Sequence, residues 1–264
     1  MDELPDFDYS VLDGPEISYR LFHPRPEWRL FSKTGAREIS IPVQDRIAIG
    51  ASFHIAGKNA PNILFFHGNG EIAADYDDLG PVYNQLNINF LVVDYRGYGR
   101  SGGEPTVSSM MNDCHKIYDF TVKWLIDNSC AGPLVAMGRS LGSASALELA
   151  STYEKKIDGL IIESGFALAE PLLTLLGVDL RSLNFDESKG FRNSDKVKRF
   201  HKPTLIIHAE FDHIIPYSEA LQLYKASPSP DKTLLKIPGA NHNDIFSRGM
   251  NEYMSAIKSF VEHL

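Results

Sequence analysis

The stretch VAMGRSLGSASA at residues 135–146 places Ser140 between Gly138 and Gly142, directly after an apolar run and directly before a string of small residues. A serine hydroxyl is a poor nucleophile until a base takes its proton, and that base needs an acid to orient it. A nucleophile turn between a strand and a helix forces the serine backbone into a strained conformation and brings helix and strand so close that flanking side chains have no room. Gly138, Gly142 and the small run SASA meet that demand. The hydroxyl then points outward at a helix N-terminus, where developing negative charge is tolerated. The bland alternative is a glycine-flanked serine that caps a helix. The two readings differ in whether a histidine and a carboxylate reach the same place.

Both partners occur further along the chain, and the elements that carry them can be read from the apolar pattern. From residue 37 onward, short apolar runs alternate with longer helical stretches, the mark of an α/β sheet with parallel strands. Strands are expected at 37–43, 46–56, 62–67, 88–95, 133–138, 157–164, 203–209 and 232–238, the first two as an antiparallel hairpin. The later runs are almost continuously apolar, as strands covered by helices on both faces must be. Helices are expected at 72–86, 106–128, 141–154, 217–226 and 244–263. In such sheets ligands bind at the carboxyl ends of the strands. Ser140 follows the run PLVAMG, Asp212 follows PTLIIHA, and His242 follows KTLLKIP, so each of the three stands in its own strand-end loop. Residues 165–202 are too long for an ordinary strand-to-strand connection and are expected to form a short helical lid. Its segment FALAEPLLTLLGVDL suits either an apolar acyl-binding wall or an amphipathic helix that covers core.

HGNG at 67–70, DYRGYGRSGG at 94–103, GRSLG at 138–142, EFDHIIP at 210–216 and NHND at 241–244 together give the chain its resemblance to the α/β-hydrolase fold, from about residue 37 to the C-terminus. The resemblance implies a mostly parallel eight-stranded sheet with helices on both faces, no metal and no cofactor. It also implies Ser140 as nucleophile, His242 as general base and Asp212 as the acid that orients it. The backbone N–H groups of Asn69 and Leu141 would receive the oxyanion, with His67, Gly68 and Gly70 in the supporting loop beside Gly138 and Gly142. A backbone N–H can approach a reacting oxygen only where side chains are absent, which fits the two glycines of HGNG. Within the fold, the chain looks most like a small-lid branch that includes depalmitoylating thioesterases and serine aminopeptidase-like proteins. Residues 1–36 fall outside the shared pattern and read as an N-terminal arm before a single domain at 37–264.

Several other groups compete for roles. Glu163 ends the strand after the serine and is the rival to Asp212 as the orienting acid. His208 sits within a strand and reads as a core residue. His213 follows Asp212 directly, so its side chain should diverge from that carboxylate. Asp94 is expected to tie down the RGYGRSGG loop through backbone N–H groups, Asp244 to cap the last helix, and His67 to make a structural hydrogen bond at a strand end. Arg139 would recognise an anionic substrate group or, more simply, form a salt bridge on the helix.

Composition bounds the function. With 264 residues, 43% of them hydrophobic, the chain can bury a large core without disulfides. Cys114 and Cys130 lie outside any C-x-x-C or Cys/His cluster and read as packing residues. The net charge of -8 with scattered Lys and Arg argues against nucleic acid as a partner. The acidic MDELPDFDYS start and the lack of a long apolar run lead to the expectation of a cytoplasmic protein without a transmembrane segment. The function expected from all this is hydrolysis of a carboxylic ester or acyl thioester through an acyl-enzyme, on a small-molecule or acyl-chain substrate. An aminopeptidase or amidase is the alternative within the chemistry. A non-catalytic ligand-binding member of the fold is the alternative outside it, and it would have no need of a strained turn.

Overall fold

The computed structural model describes residues 7–28 and 35–264. A short helix, α1 (Pro15–Leu21), precedes an antiparallel pair, β1 (Arg37–Gln44) and β2 (Ile47–His54). The chain then runs through β3 (Asn62–Phe66), α2 (Gly80–Gln85), β4 (Asn89–Val93), α3 (Val107–Asp127), β5 (Leu134–Arg139), α4 (Ser143–Thr152) and β6 (Gly159–Glu163). Two short helices follow, α5 (Ala169–Leu175) and α6 (Asn193–Val197), and then β7 (Thr204–Ala209), α7 (Tyr217–Ala226), β8 (Lys232–Ile237) and α8 (Ile245–Glu262). The strand order is β1-β2-β4-β3-β5-β6-β7-β8. Strand β2 is antiparallel to both of its neighbours, and every pair from β4 to β8 is parallel. This is the α/β-hydrolase architecture.

Every residue of β3, β4, β5, β6 and β7 is buried, because helices cover both faces. One apolar cluster joins α1, α3, α4, α5, α6 and α7 to the sheet, and a second joins α2 and α8 to the other face. The edge strands differ. Strand β1 carries Pro42 beside a register shift, and β8 carries Lys232 and Lys236, features that discourage further strand pairing. After β3 the chain turns to β4 on one side, and after β4 it crosses to β5 on the other. The loops that leave β3 and β5 therefore diverge and open a crevice at their carboxyl ends.

The expected helix over 72–86 is instead a 3-10 turn at Ala73–Tyr76 followed by α2. Pro81 has no N–H to continue a helix and sits in the first turn of α2, so the helix starts afresh there; Gly80 is a glycine because a Cβ would stand 2.2 Å from the buried His54 ring. The 165–202 segment contains α5, a 3-10 turn at Glu187–Lys189, and α6. The Glu187 carboxylate accepts from the Ala169 and Glu170 N–H groups, so it caps α5 from across the segment. Lys196 of α6 is fully buried and pairs at 2.8 Å with Glu148 of α4, which also accepts from Tyr9 Oη at 2.9 Å. Tyr9, Leu12, Ile17, Leu21 and Phe22 bury into the same apolar cluster, so the chain over 9–22 packs onto the body. Among the described residues, no helix is long and apolar enough to cross a membrane.

Candidate active site

At the end of β5 the chain makes a sharp turn, and Ser140 takes a φ of +51°, a left-handed value that a non-glycine residue seldom adopts. The turn continues as a 3-10 helix over Ser140–Gly142 into α4 and is closed by Ser143 Oγ donating to the Ser140 carbonyl at 2.6 Å. A Cβ at Gly138 would lie 2.2 Å from the Gly142 carbonyl oxygen, and one at Gly142 would lie 2.1 Å from that of Phe66. Both flanking glycines are therefore enforced by backbone-to-backbone approach, as the spacing in the sequence predicts.

His242 Nε2 lies 3.0 Å from Ser140 Oγ, and His242 Nδ1 lies 2.6 Å from Asp212 Oδ2. All three side chains are buried to within a tenth of full burial, and they come from positions 72 and 30 residues apart in the chain. The second Asp212 oxygen, Oδ1, accepts from the Ile214 and Ile215 N–H groups at 3.0 and 2.8 Å. Burial by itself would raise the Asp212 carboxyl. The hydrogen bond from His242, the charge of that imidazole and the Ile215 N–H outweigh it and hold the carboxyl below its ordinary value. Such a chain lets an imidazole accept a serine proton while the carboxylate fixes its tautomer and steadies the resulting cation.

The competitors are accounted for. Glu163 is fully buried, but Arg139 Nε at 3.1 Å and Tyr253 Oη at 2.7 Å occupy its oxygens, and burial raises its carboxyl. His208 is a core residue whose Nε2 donates to the Ile215 carbonyl at 2.8 Å. Exposed His213 turns to Asn241. Asp94 corrects an expectation, since its Oδ1 accepts from Ala73 N–H at 2.7 Å and so fastens the loop after β3. Asp244 stands at the N-terminus of α8 without capping it. Its Oδ1 accepts from Asn241 N–H at 2.5 Å, which shapes the loop that presents His242.

Asn69 sits in the loop after β3, across the crevice from the serine turn, and Leu141 immediately follows Ser140. His67 is fully buried, with Nδ1 donating to the Gly68 carbonyl at 2.8 Å and Nε2 3.3 Å from Asp94, so it is a structural residue of that loop. Gly70 takes a φ of +76°. The Asn69 amide is clamped from outside. Its Oδ1 accepts from His23 N–H at 2.9 Å and Tyr98 Oη at 2.7 Å, and its Nδ2 donates to His23 Nδ1 at 2.7 Å. Arg25 Nε donates to the Gly70 carbonyl at 2.9 Å and pairs with Asp75. The N-terminal segment thus bears on the 67–70 loop, a role that no local pattern in 1–36 signalled. The salt bridge expected of Arg139 is present, but to Glu163 at the end of β6 and to Glu71 in the loop after β3 and not on the helix, and Glu71, which is partly exposed, carried no signal at all.

An eight-stranded sheet with this order, and a serine, a histidine and a carboxylate in contact at its carboxyl edge, define the class: a serine-type α/β hydrolase. Residues 57–182 and 190–260 match the hydrolase family described as serine aminopeptidase, S33, and the chain belongs to that family. Among curated relatives it is similar to human alpha/beta hydrolase domain-containing protein 17B, 30% identical over an alignment of 211 residues that covers 75% of this chain and 65% of the human protein. The Xenopus tropicalis protein of the same name is 29% identical over 97% of this chain and 87% of its own length. The fold is also that of Est1E from Butyrivibrio proteoclasticus, solved with ferulic acid (TM-score 0.72, 20% identity, 85% of this chain and 98% of that one). The esterase Pf2001 from Pyrococcus furiosus matches likewise (TM-score 0.71, 20% identity, 92% of this chain and 98% of that one).

Proposed function

We propose that the protein hydrolyses carboxylic esters or acyl thioesters through an acyl-enzyme on Ser140. The observation that carries this is the hydrogen-bonded line Ser140–His242–Asp212 at 3.0 and 2.6 Å. His242 Nε2 takes the hydroxyl proton as Oγ adds to the substrate carbonyl, and the Asn69 and Leu141 N–H groups receive the oxyanion. The imidazolium then protonates the leaving group, and a water activated by the same imidazole releases the acid.

We read an apolar cavity of about 140 Å³ as the seat of the acyl group, although it adjoins the site through Ile214 and Ile215 beside Asp212 and is lined by none of Ser140, His242, Asn69 and Leu141. It lies between the 165–202 segment and the loop just after Asp212, lined by Phe166, Leu168, Leu172, Leu175, Ile214 and Ile215 among others. Its volume is close to the about 150 Å³ that accommodates one benzene ring, so it suits a short or singly branched acyl group. An aminopeptidase must instead hold a substrate ammonium with an anion. Glu219 is the one carboxylate in that lining, and its oxygens already accept from the Ala167 and Leu168 N–H groups and from Gln222. Esters and thioesters are therefore favoured over N-terminal peptides.

A fluorophosphonate probe should label the protein covalently, and Ser140→Ala should abolish the label. Nitrophenyl esters from acetate to palmitate should show the highest kcat/KM at the short end. A folded wild type that stays unlabelled refutes the enzymatic reading and favours a ligand-binding one.

A further inference from the structure

The residue just before the serine does more than balance charge. Arg139 is almost completely buried, and each edge of its guanidinium is used. Nε donates to Glu163 Oε1 at 3.1 Å, Nη1 donates to Glu71 Oε1, and Nη2 donates to the backbone carbonyl of His242 at 2.8 Å and reaches Asn243 Oδ1 at 3.5 Å. The other Glu71 oxygen accepts from Gly68 N–H at 2.7 Å and from Tyr76 Oη at 2.7 Å. Gly68 directly precedes Asn69. One side chain therefore joins the serine turn, the histidine loop and, through a single carboxylate, the loop that carries the Asn69 N–H. Even the space is shared, because a Cβ on Gly68 would stand 2.7 Å from Arg139 Nη1.

We propose that Arg139 and Glu71 form a positioning pair that holds the Asn69 N–H in register with His242 and Ser140. The inference rests on Ser140 acting as the nucleophile. Neither residue touches substrate. Arg139 fixes where the histidine loop stands, and Glu71, fastened to Arg139, anchors the His67–Gly68 peptide through the Gly68 N–H, while His67 Nδ1 holds the Gly68 carbonyl that shares a plane with the Asn69 N–H. A fork of N–H donors is suited to this, since a lysine ammonium could not span three acceptors in different directions. The electrostatics agree with the geometry. Although burial opposes it, Arg139 and the hydrogen bonds from Tyr76 and Gly68 lower the Glu71 carboxyl, so the pair stays ionised.

A loosened oxyanion donor shows itself in the transition state and not in ground-state binding. The test compares wild type with Glu71→Ala, Glu71→Gln and Arg139→Met on nitrophenyl butyrate, with active sites titrated and thermal unfolding followed in parallel. Each is also inhibited with an alkyl trifluoromethyl ketone. In that complex Ser140 Oγ adds to the ketone carbon, the hydroxyl proton passes to His242 and the alkoxide faces the Asn69 and Leu141 N–H groups. Displacing one reacting group by about 1 Å costs up to ~10²-fold. Glu71→Ala should lose close to that factor in kcat with KM within threefold, and ketone affinity should fall in parallel. Glu71→Gln keeps an oxygen for Gly68 N–H but sets its amide NH₂ against Arg139 Nη1, donor against donor, so it should recover only part of the loss and stay more than threefold below wild type. If Arg139→Met does not fold, the Glu71 variants decide the matter. Folded Glu71 variants with kcat and ketone affinity within threefold of wild type overturn the proposal, as does a loss confined to the melting temperature. Failure of the hydrolase reading looks different, since wild type itself would then neither bind the ketone covalently nor turn over ester.

Discussion

Replacing Asp212 by asparagine should disable the site while leaving its shape intact, and the structure dictates how. Oδ1 of Asp212 accepts two backbone N–H groups, from Ile214 and Ile215, so that position must remain an oxygen after the substitution. The amide nitrogen of the introduced side chain then takes the place of Oδ2, which lies 2.6 Å from His242 Nδ1. An amide there is a donor, and Nδ1 can answer only by accepting. The imidazole proton is driven to Nε2, which faces Ser140 Oγ at 3.0 Å and can no longer take the hydroxyl proton. This tautomer trap has a known scale in serine proteases, about 10⁴-fold in kcat, or about 5.4 kcal/mol at ~1.36 kcal/mol per tenfold. The assay is kcat/KM on a short nitrophenyl ester, with the rate of fluorophosphonate labelling as a second readout and circular dichroism to establish that the variant is folded. Asp212→Asn retaining more than a tenth of wild-type kcat/KM would refute the argument that this carboxylate sets the tautomer of His242.

Gly142→Ala would bring a Cβ to within 2.1 Å of the Phe66 carbonyl, a contact between two pieces of backbone. It should destabilise by at least about 1–3 kcal/mol in urea unfolding, and unchanged stability would show that the turn has slack. Glu148 is buried, which alone would raise its carboxyl, yet Lys196, His115 and Tyr9 hold it at about 2 against an ordinary 4.5. The folded protein therefore binds that proton more weakly than the unfolded chain. The stabilisation, about 3 kcal/mol from a difference of about 2.5 units at ~1.36 kcal/mol each, is complete above pH about 4.5 and is lost as pH falls toward 2. Glu148→Gln strands the Lys196 ammonium and should cost about 3–5 kcal/mol at neutral pH, a gap from wild type that narrows in acid; a gap independent of pH contradicts the pairing. Leu172→Trp should fill the cavity beside the 165–202 segment and reduce kcat/KM for nitrophenyl butyrate far more than for the acetate, whereas equal losses would place the acyl group elsewhere.

The parts of the protein legible in the sequence are those that local rules decide. Strand runs, the glycine-bracketed serine and the strand-end positions of Asp212 and His242 all follow from periodicity and turn chemistry within a few residues of each site. Contact between Ser140 and His242, 102 residues apart, was a demand of the chemistry that only the folded chain could meet. Where local rules failed, a distant group intervened. The helix expected over 72–86 breaks where Pro81 interrupts the hydrogen bonds, and His54 of β2, packed against Gly80, leaves room there for no side chain. Asp244 gives up its cap because Asn241 N–H reaches it first. The N-terminal residues carry no motif, yet His23 and Arg25 grip Asn69 and Gly70 across some 45 positions. Arg139 and Glu71, 68 residues apart, look in the sequence like any two charges. The fold makes them a unit, because Arg139, withdrawn from water, must find its partners inside the protein, and which partners those are is settled only when the sheet brings its loops together.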